Sequence, residues 1–219
     1  MKRLLGWHFL QASRRLNFED NRLVRCGQTL MHQGELTMCV AGLHACPRIM
    51  DALRYAPGPI VERVELSGEI LRHTGKAVAH RRKCLWWLDA TYILHEFACR
   101  CAEDALKLVK SPDARSIEAI RVKRLWLKGC ATEAELKTAG AAAWAAAMAG
   151  RVSNAAAAAW TAAMAGRPFD AAAAAWATSA NARTRDANAR ASAWAGDWDV
   201  QNRRLTAMVM AAHKQGGRK

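Results

Sequence analysis

The chain is short of acid. Its 219 residues hold 19 Asp and Glu against 33 Lys and Arg, a formal net charge of +14. Residues 1–137 carry 23 basic against 15 acidic side chains and residues 138–219 carry 10 against 4, so the excess is not confined to a tail. A field of that sign favours nucleic acid, acidic proteins or anionic surfaces as partners. The plain alternative is a charged surface that keeps an alanine-rich chain soluble. Also missing is any run of 18 apolar residues outside the alanine region, and that region is too weakly hydrophobic to span a bilayer. The basic start Met1-Lys2-Arg3-Leu4-Leu5 breaks at Gly6 and His8, so no signal peptide is expected. Cysteine is present but lacks metal-site spacing: seven residues scatter over the first 130 with no Cys-x2-Cys pair. Cys39, His44 and Cys46, with Cys26 as a fourth, are the only ligand set the spacing offers. Buried, inert thiols and no metal are the expectation. Reduced thiols and a cytoplasmic setting follow.

What is present concentrates between Cys39 and Leu71. Met38–Val40 is a short apolar run that ends at Gly42, and a Gly-X-His turn follows. Pro47 suits the first turn of a helix over Pro47–Tyr55. Ala56-Pro57-Gly58-Pro59 must end it. From Ile60 to Ile70 apolar and charged residues partly alternate, the pattern of a strand with one buried face. Gly68 within it predicts a bulge or a close backbone approach.

Gly42-Leu43-His44-Ala45-Cys46, Leu53-Arg54-Tyr55 and Val64-Glu65-Leu66-Ser67-Gly68-Glu69 together resemble the middle of the ADP-ribosyltransferase fold of the poly(ADP-ribose) polymerases. There a Gly-Ile-Tyr-Phe-Ala strand precedes a short helix and a strand ending Val-X-Leu-Gly-Glu. The resemblance implies a split sheet and transfer of ADP-ribose from NAD to a protein or nucleic acid. It implies His8 on the first strand against the ribose and His44 lining the nicotinamide pocket. Tyr55 would stand in for the stacking tyrosine that His44-Ala45 replaces, and Glu65 or Glu69 would supply the catalytic carboxylate. The Gly-Leu-His-Ala signature and the alanine-rich tail also resemble a group of uncharacterised phage proteins. That likeness implies an accessory protein working in a host cell.

Along the rest of the chain, Gly6–Leu10 reads as the first strand and Ser13–Gly34 as turn-rich, with a short strand at Leu23–Arg25. His80-Arg81-Arg82-Lys83 reads as a basic turn before Trp86-Trp87, able to hold phosphate beside a stacked base, or merely solvated before core aromatics. Three–four spacing from Leu85 through Leu88, Tyr92, His95, Cys99, Ala102, Leu106 and Val109 predicts one long helix, with His95 packed in its stripe. Ser111-Pro112 predicts the cap of the next helix, to about Lys128, with Arg121, Arg124 and Lys128 as a basic face.

From Thr138 the text repeats every 16 residues. Thr138, Asn154, Asp170 and Asp186 read as helix caps, and Trp144, Trp160 and Trp176 follow six residues after the first three. Sixteen residues at ~100° each would turn successive tryptophans to nearly opposite sides of one rod, so broken helices of about 11 residues are expected. The last two units lack the glycine break and are able to merge. Alanine helices bury little, so the array should pack on the first domain, on itself as a homo-oligomer, or on a partner.

The expectation is therefore an α+β domain over 1–110, connecting helices over 111–137 and an all-α Ala/Trp repeat over 138–219. The leading function is binding of nucleic acid or an acidic host protein without a cofactor. Arg81, Arg82, Lys83, Arg121, Arg124 and Lys128 are the contacts. The alternative is the NAD-dependent transferase that the resemblance implies.

Overall fold

A computed structural model describes residues 2–17, 20–108, 110–149, 162 and 187–216. The units centred on Trp160 and Trp176, and with them most of the repeat, lie outside the described residues. The chain divides into two units. One is Met1–Thr91 with Val209–Lys219, and the other is Tyr92–Met208.

The first unit is a five-stranded antiparallel sheet. Its strands are β1 (Arg3–Leu10), β2 (Thr29–Met31), β3 (Leu43–Ala45), β4 (Ile60–His73) and β5 (Lys76–Asp89), with a short helix α1 (Ile49–Leu53) after β3. The order is β1-β4-β5-β2, and β3 also pairs with β5. Residues 77–79 of β5 are flanked by β4 on one side and β3 on the other. Trp7 of β1 then exchanges both backbone hydrogen bonds with Cys46, just past β3, at 2.7 and 2.9 Å. The sheet thus curls until its first strand meets the segment after β3. Close approach demands small side chains there: a Cβ on Gly6 would lie 2.9 Å from that of Ala45. Inside the curl Ala45, Val64, Leu66, Ala77 and Ala79 pack together, and Leu10, Leu30, Leu43, Ile60 and Cys84 form a second cluster.

β4 and β5 form a long hairpin closed at Thr74-Gly75, with Gly75 at φ +77°. The expected β4 is there and runs on to His73. Gly68, at φ +85°, sits in the register shift between Ser67 and Ile70, as its place in the strand predicts. The helix expected from Leu85 is not there. Residues 76–89 are strand, and helix begins only at Thr91. The leucines at 85 and 88 fit both periods, and cross-strand pairing of Trp86 and Trp87 with Arg63 and Glu62 decides for strand. The expected turn at His80–Lys83 is strand for the same reason. Nor is Met38–Val40 the strand before α1: Val40 is 81% exposed, and the strand is Leu43–Ala45, within the supposed Gly-X-His turn. The strand expected at Leu23–Arg25 amounts to a single bridge from Leu23 to Arg15.

The second unit is helical in its described residues: α2 (Thr91–Lys107), α3 (Ala114–Leu127), α4 (Glu133–Ala149) and most of α5 (Ala187–Gly216). α3 starts two residues later in sequence than Ser111 suggests, because Asp113, not Ser111, accepts from the Arg115 N–H. Gly129 ends it at φ +72°. Thr132 and Glu135 cap α4 reciprocally, with the Thr132 N–H donating to the Glu135 carboxylate at 2.7 Å and the Glu135 N–H to the Thr132 hydroxyl at 3.2 Å. Thr138 is therefore not a cap. It lies inside α4 and donates to the Ala134 carbonyl. α3 and α4 meet through Ala119, Val122, Leu136, Ala139 and Ala143. His95 is buried, edge-on to Trp126, while Tyr92 of the expected stripe is 57% exposed.

Candidate functional site

Strand alternation sorts the charged residues of the first unit onto two faces. On β4, Glu62 shares the parity of Val64 and Leu66, both fully buried, so it points into the curl. His8 is its direct cross-strand partner on β1, with Nδ1 2.8 Å from Oε1. Arg82 of β5, 3% exposed, places Nη2 3.2 Å from the same oxygen and donates from Nη1 to the His44 carbonyl at 2.9 Å. Among the described residues Oε2 of Glu62 has no nitrogen or oxygen donor, and the weak thiol donor of Cys84 bonds the carboxylate. Burial pushes the Glu62 pKa up. The Arg82 charge, the His8 hydrogen bond and the Cys84 thiol outweigh that and hold the carboxyl at about 2. Burial and the Arg82 charge push His8 down. The group is thus a buried carboxylate–guanidinium pair with a neutral imidazole at its edge, a quarter of whose side chain reaches solvent.

On the opposite, outward face, Arg3, Glu65, Arg81 and Lys83 alternate with these inward residues. Arg81 and Lys83 are exposed and lie beside Met31 and Thr29 of β2. Among the described residues neither has a carboxylate within ion-pair distance. Glu65 is matched to Arg3 at 3.4 Å. Farther along this face an aromatic ladder begins. The Arg63 guanidinium lies 4.5 Å from the Trp7 ring centroid, Trp86 meets Trp7 edge-on at 5.8 Å, and His213 stacks on Trp86 at 4.0 Å and 11°.

The basic run His80–Lys83 is therefore not one patch. Arg82 is turned inward and neutralised, while Arg81 and Lys83 face out. Trp87 goes to the inner side with Leu10 and Ile60, under the Arg14 guanidinium, and Trp86 goes to the outer side. On α3, Arg124 grips Glu103 with two nitrogens at 2.6 and 2.9 Å and also pairs with Glu96. Arg121 is held by Glu118, and Lys128 stays exposed at the helix end.

Of the residues that the transferase resemblance picks out, His8 and His44 come together around Arg82, and Glu65, Glu69 and Tyr55 lie elsewhere. Glu69 is 64% exposed beyond the bulge, with the His80 ring nitrogen 3.8 Å away. Glu65 faces outward, and His8 faces inward on Glu62. His44 accepts the Cys39 N–H on Nε2 at 3.0 Å, and burial lowers its pKa. Tyr55, 58% exposed, lies under the Lys76 ammonium, which also donates to the Cys39 sulfur at 2.6 Å. His44 and Tyr55 thus share the Cys39–Lys76 neighbourhood, and His44 also borders the Arg82–Glu62–His8 group, whose charges help to lower its pKa. Sequence reading missed Glu62, although its parity with Val64 and Leu66 marks it as inward. Nothing local marks His213, which reaches Trp86 only through the fold.

All seven cysteines are free, and burial pushes the Cys46 thiol up to about 12. Among the described residues no group of three or more His, Cys, Asp or Glu is arranged to hold a metal ion, and no helix is long and apolar enough to cross a membrane. Residues 12–96 match a family model described as a domain of unknown function (DUF7666). The match takes in β2 to β5, and so both faces of the hairpin. Neither the curated proteins nor the solved structures gave a match.

Proposed function

We propose that this chain is a phage or mobile-element accessory protein that works in the host cytoplasm by binding nucleic acid through the outer face of β5. The observation that carries this reading is the outward pair Arg81 and Lys83, exposed and without a carboxylate partner among the described residues, on a chain of net charge +14. Arg63 adds positive charge to that face, and Glu65, opposite Lys83, is matched by Arg3. Free cations presented on a rigid strand can take phosphates without first breaking an ion pair, which would offset the gain. Anionic partners follow from the charge, and Trp86 beside the cations favours nucleic acid over an acidic host protein.

The test is binding of labelled oligonucleotides by the full chain at several salt concentrations. Affinity should fall steeply with salt and should weaken in an Arg81→Ala/Lys83→Ala variant. Binding of an acidic protein but not of any oligonucleotide would move the partner to protein.

The transferase reading keeps one supporting observation, the histidine–carboxylate hydrogen bond between His8 and Glu62. Against it, Glu62 is fully buried and so closed to a substrate. Label transfer from NAD that Glu65→Ala or Glu69→Ala abolishes would restore it.

A further inference from the structure

We infer that His213 occupies the seat of a nucleobase on Trp86, so that the nucleic acid this face takes is single-stranded and the end of α5 is a latch over it. The inference rests on the nucleic-acid reading above and adds to it the strand state and the competitor.

Three observations meet here. First, the His213 and Trp86 rings are 4.0 Å apart and within 11° of parallel, the arrangement of a stacked base on an indole. Second, Trp86 also makes a T-shaped contact with Trp7, itself 4% exposed and covered by the Arg63 guanidinium. A partly buried indole braced in this way offers the face under His213 at little cost in side-chain entropy. Third, Lys83 and Arg81 share a face with Trp86, because the register shift at Arg63/Val64 inserts one residue into β5 and leaves Trp86 opposite Arg63 and Lys83 opposite Glu65. Lys83 lies three residues away, ~10 Å along a strand, short enough for one bound strand to reach both the indole and the ammonium. Duplex nucleic acid keeps its bases stacked inside and has none to offer this seat, whereas a single strand does.

The imidazole is a smaller stacking surface than a base. It arrives on the last turns of α5, residues 209–216, which belong to the first unit. While it sits on Trp86 the apparent affinity for a single strand is reduced by the fraction of chains in which the seat is open. Lys214, exposed beside it, lifts away together with the latch. Removing the ring should therefore tighten binding, the opposite of what loss of an ordinary contact residue does.

The experiment measures anisotropy of labelled oligothymidylate, oligouridylate and a DNA duplex of the same length with the full chain. The proteins are wild type, His213→Ala, Trp86→Leu and Arg81→Ala/Lys83→Ala, with melting curves confirming that each is folded. The inference expects His213→Ala to tighten both single strands several-fold and Trp86→Leu to weaken them about fivefold or more, with duplex binding moved by less than about twofold. A ratio between the thymidylate and uridylate affinities tells whether DNA or RNA is preferred. If the Arg81/Lys83 variant weakens binding while His213→Ala leaves single-strand affinity unchanged or lowers it, the latch is refuted and the nucleic-acid reading stands. If no oligonucleotide binds with salt sensitivity, both fall together. Should Trp86→Leu not fold, His213→Ala alone decides, since only displacement of a competitor predicts a gain.

Discussion

His8 and Glu62 face each other across β1 and β4, Nδ1 to Oε1 at 2.8 Å, and Arg82 reaches the same oxygen from β5. Three strands are tied at one buried carboxylate. The pair Glu62–Arg82 is neutral as a unit, and removing either half strands the other's charge in the interior.

Glu62→Gln should therefore lower stability at neutral pH by about 3–5 kcal/mol. The carboxyl sits at about 2 in the folded chain against an ordinary 4.5, so its contribution is fully present above pH ~4.5 and is lost as pH falls towards 2. Glutamine already resembles the protonated acid, so the gap between variant and wild type should narrow over that window. His8 works in the same direction for wild type: its lowered pKa means the unfolded chain takes a proton below pH ~6.5 that the folded chain resists. Chemical denaturation from pH 7 down to pH 3 checks this. A gap independent of pH would show that Glu62 is not ionised in the fold.

Gly42 has φ +115°, and a Cβ there would overlap Val78 Cγ2 and lie 2.8 Å from Leu36 Cδ2. Gly42→Ala combines left-handed strain with overpacking and should cost about 2–4 kcal/mol. Thermal melting measures it. A melting point equal to wild type would mean that the loop before β3 sits elsewhere.

Val64 is fully buried between Glu62 and Leu66 on the inner face of β4. Val64→Asp places a second carboxylate beside Glu62 with no added cation, and the several kcal/mol involved is on the order of the whole stability. Loss of the cooperative melt is expected. A normal melt would take β4 out of the core.

Legibility of this fold followed period and breaker residues. Ile60–Ile70 was readable because alternation, Pro57, Pro59 and Gly68 all agreed, and α1 because two proline signals bracket it. β5 was not readable locally. Its apolar residues at 85 and 88 continue the three–four stripe of α2, and only pairing with β4, a non-local fact, marks residues 76–89 as strand. The site suffered from the same gap. Once β5 is a strand, parity alone sends Arg82 inward and Arg81 and Lys83 outward. Read as a turn, the three remain one undivided patch. Glu62 is legible as inward from β4 alone, whereas the family likeness points to the more exposed Glu65 and Glu69. Arg124 looked free on α3 because its two partners, Glu96 and Glu103, lie on another helix.

The same parity makes a prediction about the basic run itself. Arg81→Ala and Lys83→Ala should each leave the melting point nearly unchanged, as exposed residues without ion pairs do. Arg82→Ala should lower it sharply by leaving the Glu62 charge unpaired. Melting curves of the three single variants separate the roles. Equal effects would mean that alternation does not divide them.

The most direct measurement is the slope of log affinity against log salt for a labelled single-stranded oligonucleotide. It is compared between the wild-type chain and Arg81→Ala/Lys83→Ala. Each lost phosphate contact removes about 0.7 from the slope on a single strand. The account predicts weaker binding and a slope flatter by about 1.4 in the double variant, with the melting point retained. An unchanged slope in a folded variant would contradict it.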